Sequence, residues 1–222
     1  MEKPTLKRAF AYIIDLMIVV FIIGLFTNIE ALNPNYEKYE QAFESYKTLI
    51  AESENTNNSQ TVKQATNVMY DLNKYSVSTS IINVVVMVLY FGLFQYYNKG
   101  QTIGKKLMKI KVVSNDGKKL KLSQVIIRML IINSVLTSVI LICLISFASK
   151  GLYISTSKYI NMIDATLVSA SIIMIMFKND GRGLHDLLAN TKVVYVNNSS
   201  EVIKEAKIIE KSNNRKKENL WQ

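Results

Sequence analysis

The sequence predicts an all-α integral membrane protein with four transmembrane helices. An extracytoplasmic helical hairpin and a small cytoplasmic β-hairpin or three-stranded sheet complete the predicted fold. Three observations lead there. The apolar residues gather in four blocks, near 7–27, 77–97, 125–147 and 159–177, separated by polar stretches. Each block approaches the roughly 20 residues that a helix needs to cross a hydrocarbon core of about 30 Å. Basic residues crowd the polar stretches that would share one side of the membrane.

The first block, Lys7 to Thr27, carries Arg8 at its start and only one later charge, Asp15. A carboxylate placed that deep costs about 2.5–3.5 kcal/mol on insertion scales, so it marks either a structural partner or a functional group. The block resembles a signal peptide only in its basic start. Asp15 interrupts the apolar run and FTNIEALN has no small-residue cleavage pattern, which predicts a retained helix. Block two, Val77 to Tyr97, contains Asn83 and ends in Tyr90, Phe91, Phe94, Tyr96 and Tyr97, an aromatic group suited to the headgroup level. The third, Val125 to Phe147, has Arg128 in its first turn and Asn133, Ser134, Thr137 and Ser138 further in. Asp164, Thr166, Ser169 and Ser171 make the fourth, Tyr159 to Phe177, the most polar.

Orientation follows from lysine and arginine. The 98–124 loop has eight lysines and one acid, whereas 28–77 has four lysines and seven acids. Lys3, Lys7 and Arg8 precede the first span, and the stretch after 177 is again basic. With four spans these basic segments fall on one side, so both termini are expected in the cytoplasm. The net charge of +10 is thus a topology signal, reinforced by anionic lipid, and not a nucleic-acid signature.

Between the first two spans lies an insertion, 28–76. Tyr36, Tyr39, Phe43, Tyr46 and Ile50 recur at helical spacing, and after a polar turn so do Val62, Ala65, Met69 and Leu72. Two facing stripes predict the external hairpin, read either as a spacer or as a contact surface. On the cytoplasmic side, Lys109 to Val113, an Asn115-Asp116-Gly117 turn and Lys118 to Leu122 give a hairpin signal. Thr191 to Val196 is a third strand. The tail, 197–222, is polar and basic, and its composition predicts disorder over most of it.

Few chemistries survive the composition. One cysteine, Cys143, and one histidine, His185, exclude an intrachain disulfide and a multi-histidine or cysteine metal site. Gly100 to Lys106, GQTIGKK, resembles a phosphate loop but has three residues between its glycines, and Lys106 stands where Ser or Thr belongs. It predicts a turn leading into a basic interfacial helix. Arg182 and Asp186 stand four apart and are placed to pair on a helical turn. Asp15 and Asp164 lack the Gly-x-Gly-Asp context of an intramembrane aspartyl protease. The expectation is a non-enzyme without cofactor or metal.

Four pieces in order carry a family resemblance: RAFAYIID with Arg8 and Asp15; GQTIGKKLMKIKVV with a following Asp-Gly; Arg128 opening a span; and RGLHDLLANTKVV. Together they resemble the RDD family of bacterial multi-spanning membrane proteins, over about residues 5–196. The resemblance implies that Arg8, Asp15 and Asp186 are the family's arginine and two aspartates, with Arg128 beside them. Gly100, Thr102, Gly104, Lys105 and His185 are supporting positions. The long 28–76 insertion and the polar fourth block depart from the family pattern. What the family implies is a membrane protein of unassigned molecular function, with transport suspected for some members.

Arg8, Arg128 and Asp186 all fall at cytoplasmic span ends, which predicts a cluster with Asp186 between two guanidiniums. Asp15 meets no basic residue at its own depth in the spans, so its expected partners are amides such as Asn83 and Asn133, hydroxyls, water or an ion. One functional expectation is transport of a small solute or ion through Asp15, which with four spans calls for a homodimer. The other is an accessory or regulatory membrane protein, acting on a membrane protein partner through the hairpin and the cytoplasmic sheet.

Overall fold

The computed structural model describes residues 4–56 and 59–196, with the side chains of 53–56 left aside. The predicted disorder of 197–222 therefore lies outside the described residues. Among the described residues, three helices are long and apolar enough to cross a membrane: α1 (Thr5–Thr27), α4 (Val77–Tyr97) and α8 (Lys150–Phe177). A broken pair, α6 (Leu122–Ile132) and α7 (Val135–Phe147), adds a fourth if taken as one span. The remaining described elements are a 3-10 turn (Glu30–Leu32), the insertion helices α2 (Tyr36–Thr56) and α3 (Ser59–Tyr75), two five-residue helices, α5 (Ile103–Leu107) and α9 (Leu184–Leu188), and the strands β1 (Ile110–Ser114) and β2 (Thr191–Tyr195).

The described chain divides into two compact units. One holds residues 4–19, 87–134 and 165–196, the other 20–86 and 135–164.

In the first unit, α1 buries a single stripe, Ala11, Asp15 and Val19, one turn apart. Phe10, Met17 and Val20 on its other faces are exposed, the expected polarity for a helix solvated by hydrocarbon. Within α4 the stretch Val88–Phe94 is π-helical and buries Tyr90, Phe91 and Gly92. A π-turn shifts the register of side chains on a helix face. Gly92 lies where a Cβ would already touch Met129 Sδ at 3.4 Å, so this stretch packs closely on α6.

The sheet corrects the expected hairpin. β1 pairs antiparallel with β2, from Ile110 opposite Tyr195 to Ser114 opposite Thr191. Lys118 to Leu122 does not pair as a strand. The second edge of β1 is already taken by the preceding loop: Val112 N–H donates to Gly100 O at 3.0 Å, and Gln101 Nε2 donates to Ile110 O at 2.9 Å. Leu122 instead opens α6, where Gln124 Oε1 accepts the Lys121 N–H at 3.0 Å. Gln124 Nε2 also donates to Ala189 O at 3.0 Å, fastening that helix start to the turn before β2. Ile110, Val112 and Val193 pack with Ala11 as the unit's apolar core.

The third apolar block was expected to be continuous. It breaks after Asn133, because Ser134 adopts φ +53°, a left-handed conformation that ends a right-handed helix. The fourth block was expected from Tyr159; the helix begins nine residues earlier, at Lys150.

In the second unit, α2 and α3 form the expected helical hairpin, and only part of the predicted stripes lies in its buried seam. Ala42, Thr61 and Ala65 are the buried positions, whereas Tyr36, Phe43, Val62 and Met69 are exposed. Tyr39, Tyr46, Ile50 and Leu72 of the predicted stripes are half-buried beside these small residues. Tyr70 meets Tyr153 edge to face at 5.5 Å, and Lys150 lies 4.8 Å above the Tyr70 ring. Thr137 Oγ1 donates to Asp164 Oδ1 at 2.6 Å, giving that intrahelical carboxylate a partner.

Candidate functional site

Two buried carboxylates organise the first unit, and both are fully buried. Burying an ionised group is costly unless it is paired and hydrogen-bonded, so the arrangement around each is informative.

Asp186 sits at the third position of α9 and accepts from its own helix start, Gly183 N–H, at 3.1 Å. Arg8 Nη2 donates to Oδ2 at 2.5 Å, and Arg128 Nη1 donates to Oδ1. Each oxygen thus has a guanidinium of its own. Arg8 Nη1 also donates to Gly181 O at 2.7 Å, and Arg128 Nη1 to Thr191 Oγ1 at 2.7 Å. The cluster predicted from Arg8, Arg128 and Asp186 therefore forms, and it ties α1, α6, α9 and β2 together. Arg182 is not part of it: its Nε donates to Asp180 Oδ2 at 2.8 Å, which takes it away from Asp186.

His185 lies beside the cluster. Arg8 Nη2 is 3.4 Å from its Nε2, and a guanidinium has no acceptor, so Nε2 accepts and the ring proton sits on Nδ1. Nδ1–H then donates to Ser171 Oγ at 2.5 Å. Burial, followed by the charges of Arg128, Arg8 and Lys105, pushes His185 well below its ordinary pKa and keeps it neutral.

Asp15 is held differently. Tyr90 OH donates to Oδ1 at 2.7 Å, Gly104 N–H donates to the same oxygen at 2.7 Å, and Thr102 Oγ1 donates to Oδ2. Lys105 Nζ stands 3.8 Å from Oδ2. Two of these partners are hydroxyls, as expected for a carboxylate with no basic residue at its depth in the spans, but a cation joins them. The cation comes from the GQTIGKK loop folding back against α1, not from a span. Asn83 and Asn133 are not among its partners; each has a buried Oδ1 without a hydrogen-bond partner among the described residues.

Local sequence explains the fold-back. Gly100 takes φ +85°, and a Cβ there would lie 2.2 Å from Val112 O. Thr102 caps α5, accepting from Lys105 N–H at 3.4 Å while its hydroxyl donates to Asp15. A Cβ on Gly104 would lie 2.2 Å from Ala11 O and 2.8 Å from Asp15 Oδ1. Only glycine admits that approach.

Lys105 Nζ also reaches Thr102 Oγ1 at 3.2 Å and Gln95 Oε1 at 3.4 Å, and lies 5.6 Å from the Phe91 ring centre. Its pKa is lowered to about 8. Burial is the main cause, and Arg128 and Arg8 add to it against the opposing pull of Asp15.

A cavity of about 450 Å³ lies in this unit. Its walls are mostly apolar, among them Ile13, Phe91, Met129 and Ile172, with Thr5, Arg8, Tyr12, Gln95, Lys105, Arg128, Asn133 and His185 as the polar members. Asp15 and Asp186 stand behind the cations and are not part of the wall. Tyr90, Thr191, Ser171 and Gln124 carry no sequence signal that marks them as site residues. Tyr90 was hidden in an aromatic group that reads as an interface belt.

Long apolar helices around a buried arginine–aspartate core define a polytopic membrane protein, not a soluble domain. Residues 3–190 match the RDD family, and the chain belongs to it. Two uncharacterized proteins of Bacillus subtilis (strain 168) are similar. YxaI is 30% identical over 53% of this chain and 58% of its own length, and YckC is 28% identical over 58% of this chain and 69% of its own. The chain thus spans little more than half of YxaI. No solved structure matches.

Proposed function

We propose that this RDD-family protein is a four-span cell-membrane protein, both termini cytoplasmic, that binds a small solute in the cavity beside its arginine–aspartate core. The observation that carries the reading is the cavity itself. Its volume falls in the roughly 300–1,000 Å³ of small-molecule sites, with apolar walls and a few convergent polar groups. The buried, unpartnered Oδ1 of Asn133 on that wall supports it further. Solute transport is the activity this site would serve, in a homodimer or with a membrane partner, and no catalytic step is assigned to it.

Asp15 has a different part in this reading from that of an ion carrier. Its oxygens are occupied by Tyr90, Thr102 and Gly104, and it is sealed from solvent. It serves as the anchor that folds the Gly100–Lys105 loop onto α1 and aims Lys105 at the cavity.

Native mass spectrometry of the protein taken from cell membranes tests the proposal. Wild type is expected to carry a bound small molecule that Ala9→Trp, which fills the cavity wall, no longer holds. Equal adducts, or none, in both proteins would overturn it.

A second reading has one observation in its favour, the exposed side chains Tyr36, Phe43, Val62 and Met69 on the α2–α3 hairpin. An accessory or regulatory protein would use that face for a membrane partner. Deleting 30–75 would then abolish function while Ala9→Trp left it intact.

A further inference from the structure

The cavity is open to a particular kind of surface. Leu6 and Ile13 from α1, and Ile172 and Met176 from α8, line it while remaining 75%, 53%, 48% and 57% exposed. In a helix solvated by lipid these rim residues face hydrocarbon, so the mouth opens sideways to acyl chains.

The inner wall has the opposite character. Lys105, Arg8 and Arg128 reach it, and they are met by two carboxylates, Asp15 and Asp186, with His185 neutral. Three cations against two anions leave one positive charge in excess. That excess falls on the cavity side, because both carboxylates lie behind the cations. Lys105 is the most loosely held of the three: its ammonium is 3.8 Å from Asp15, whereas both arginines are fixed by direct hydrogen bonds to the Asp186 they share.

We infer that the cavity takes an anionic amphiphile that enters from the bilayer, its chain between α1 and α8 and its phosphate or similar head at Lys105. This rests on the solute-binding reading and specifies the class of solute. An anion at Lys105 supplies the missing negative charge. Gln95, 3.4 Å from the ammonium, and Asn133 on the same cavity wall offer hydrogen bonds to the rest of the head.

The experiment uses the full chain in phosphatidylcholine nanodiscs and spin-labelled probes in two pairs. Phosphatidylglycerol is compared with phosphatidylcholine, and a single-chain alkyl phosphate with the matching alcohol. The signal is the motionally restricted component lost on Ala9→Trp, which removes the contribution of lipid around the outer surface. One excess charge predicts a preference of roughly fivefold for the anionic member of at least one pair. Whichever pair shows it identifies the source, membrane phospholipid or a free single-chain amphiphile. Lys105→Gln should bring the ratio to about one, and Lys105→Arg should restore it.

A wild-type ratio of one, with both members still displaced by Ala9→Trp, overturns the inference and leaves the solute reading standing. No probe displaced by Ala9→Trp overturns both. The wild-type ratio decides the matter even if Lys105→Gln fails to fold.

Discussion

The Gly104 amide donates to Asp15 at 2.7 Å, across a gap too narrow for any Cβ. This contact joins a loop lysine's neighbour to a carboxylate two turns inside a membrane helix. It converts the most costly residue of α1 into a fixed point for the loop. Gly104→Ala should therefore destabilise by about 1–3 kcal/mol, the usual range for overpacking, because the added carbon meets backbone and not a movable side chain. Thermal unfolding in detergent against Gly151→Ala, where nothing stands within 4 Å, checks it.

Asp15 and Lys105 should behave as a coupled pair. Asp15→Asn leaves a buried ammonium without its counter-charge and turns one acceptor into a donor facing donors, so a loss of about 3–5 kcal/mol is expected. Lys105→Met in the same chain should recover part of it. A double-mutant cycle should give a coupling of about 0.5–3 kcal/mol, and additivity would show that the two do not interact.

For the Arg8–Asp186–Arg128 cluster, Asp186→Asn should be more damaging than either single arginine change. It leaves two guanidiniums facing each other, whereas Arg8→Lys still leaves Asp186 one bidentate-capable partner. Folded yield by size-exclusion chromatography should fall in that order.

Much of this arrangement was legible in the residues, for stated reasons. Apolar length announced α1 and α4, and a lone carboxylate in a span had to have donors. Arg8, Arg128 and Asp186 fell at span ends on one side, which brought them together in the reading as in the fold. What escaped was whatever depended on competition between neighbours. Lys118 to Leu122 has the alternation of a strand, but Gly100 and Gln101 already occupy the edge it would need. Ser134 carries no break signal, yet its positive φ divides the third block. Tyr90 and Lys105 reach Asp15 through a π-turn and a loop fold-back, and spacing in a sequence encodes neither.

Lys109 offers a stability gain. It is exposed and held at φ +56°, between α5 and β1, while its carbonyl accepts from Val196 N–H at 2.9 Å. A left-handed conformation costs a non-glycine residue about 1–2 kcal/mol. Lys109→Gly should recover up to about 1 kcal/mol of that after its greater unfolded-state entropy is counted. A lower melting temperature would show that the lysine side chain contributes something its exposure does not suggest.

Acid should weaken the fold through His185. Its folded pKa lies well below its ordinary value, chiefly from burial, so the unfolded chain binds the proton more readily. Unfolding stability then rises with pH wherever the unfolded state holds more protons. The contribution is complete above the ordinary histidine pKa of about 6.5 and is lost progressively as pH falls below it. Lys105 acts in the same direction at the other end. Its pKa of about 8 lies below the ordinary lysine value, so stability should also climb with pH from about 8 towards about 10.4. His185→Gln should flatten only the acid limb of a melting-temperature profile, and Lys105→Met only the alkaline one. Protonated His185 would stand beside Arg8 and Arg128 with Asp186 already shared between them, so an unchanged acid limb in His185→Gln would mean that another group carries the loss.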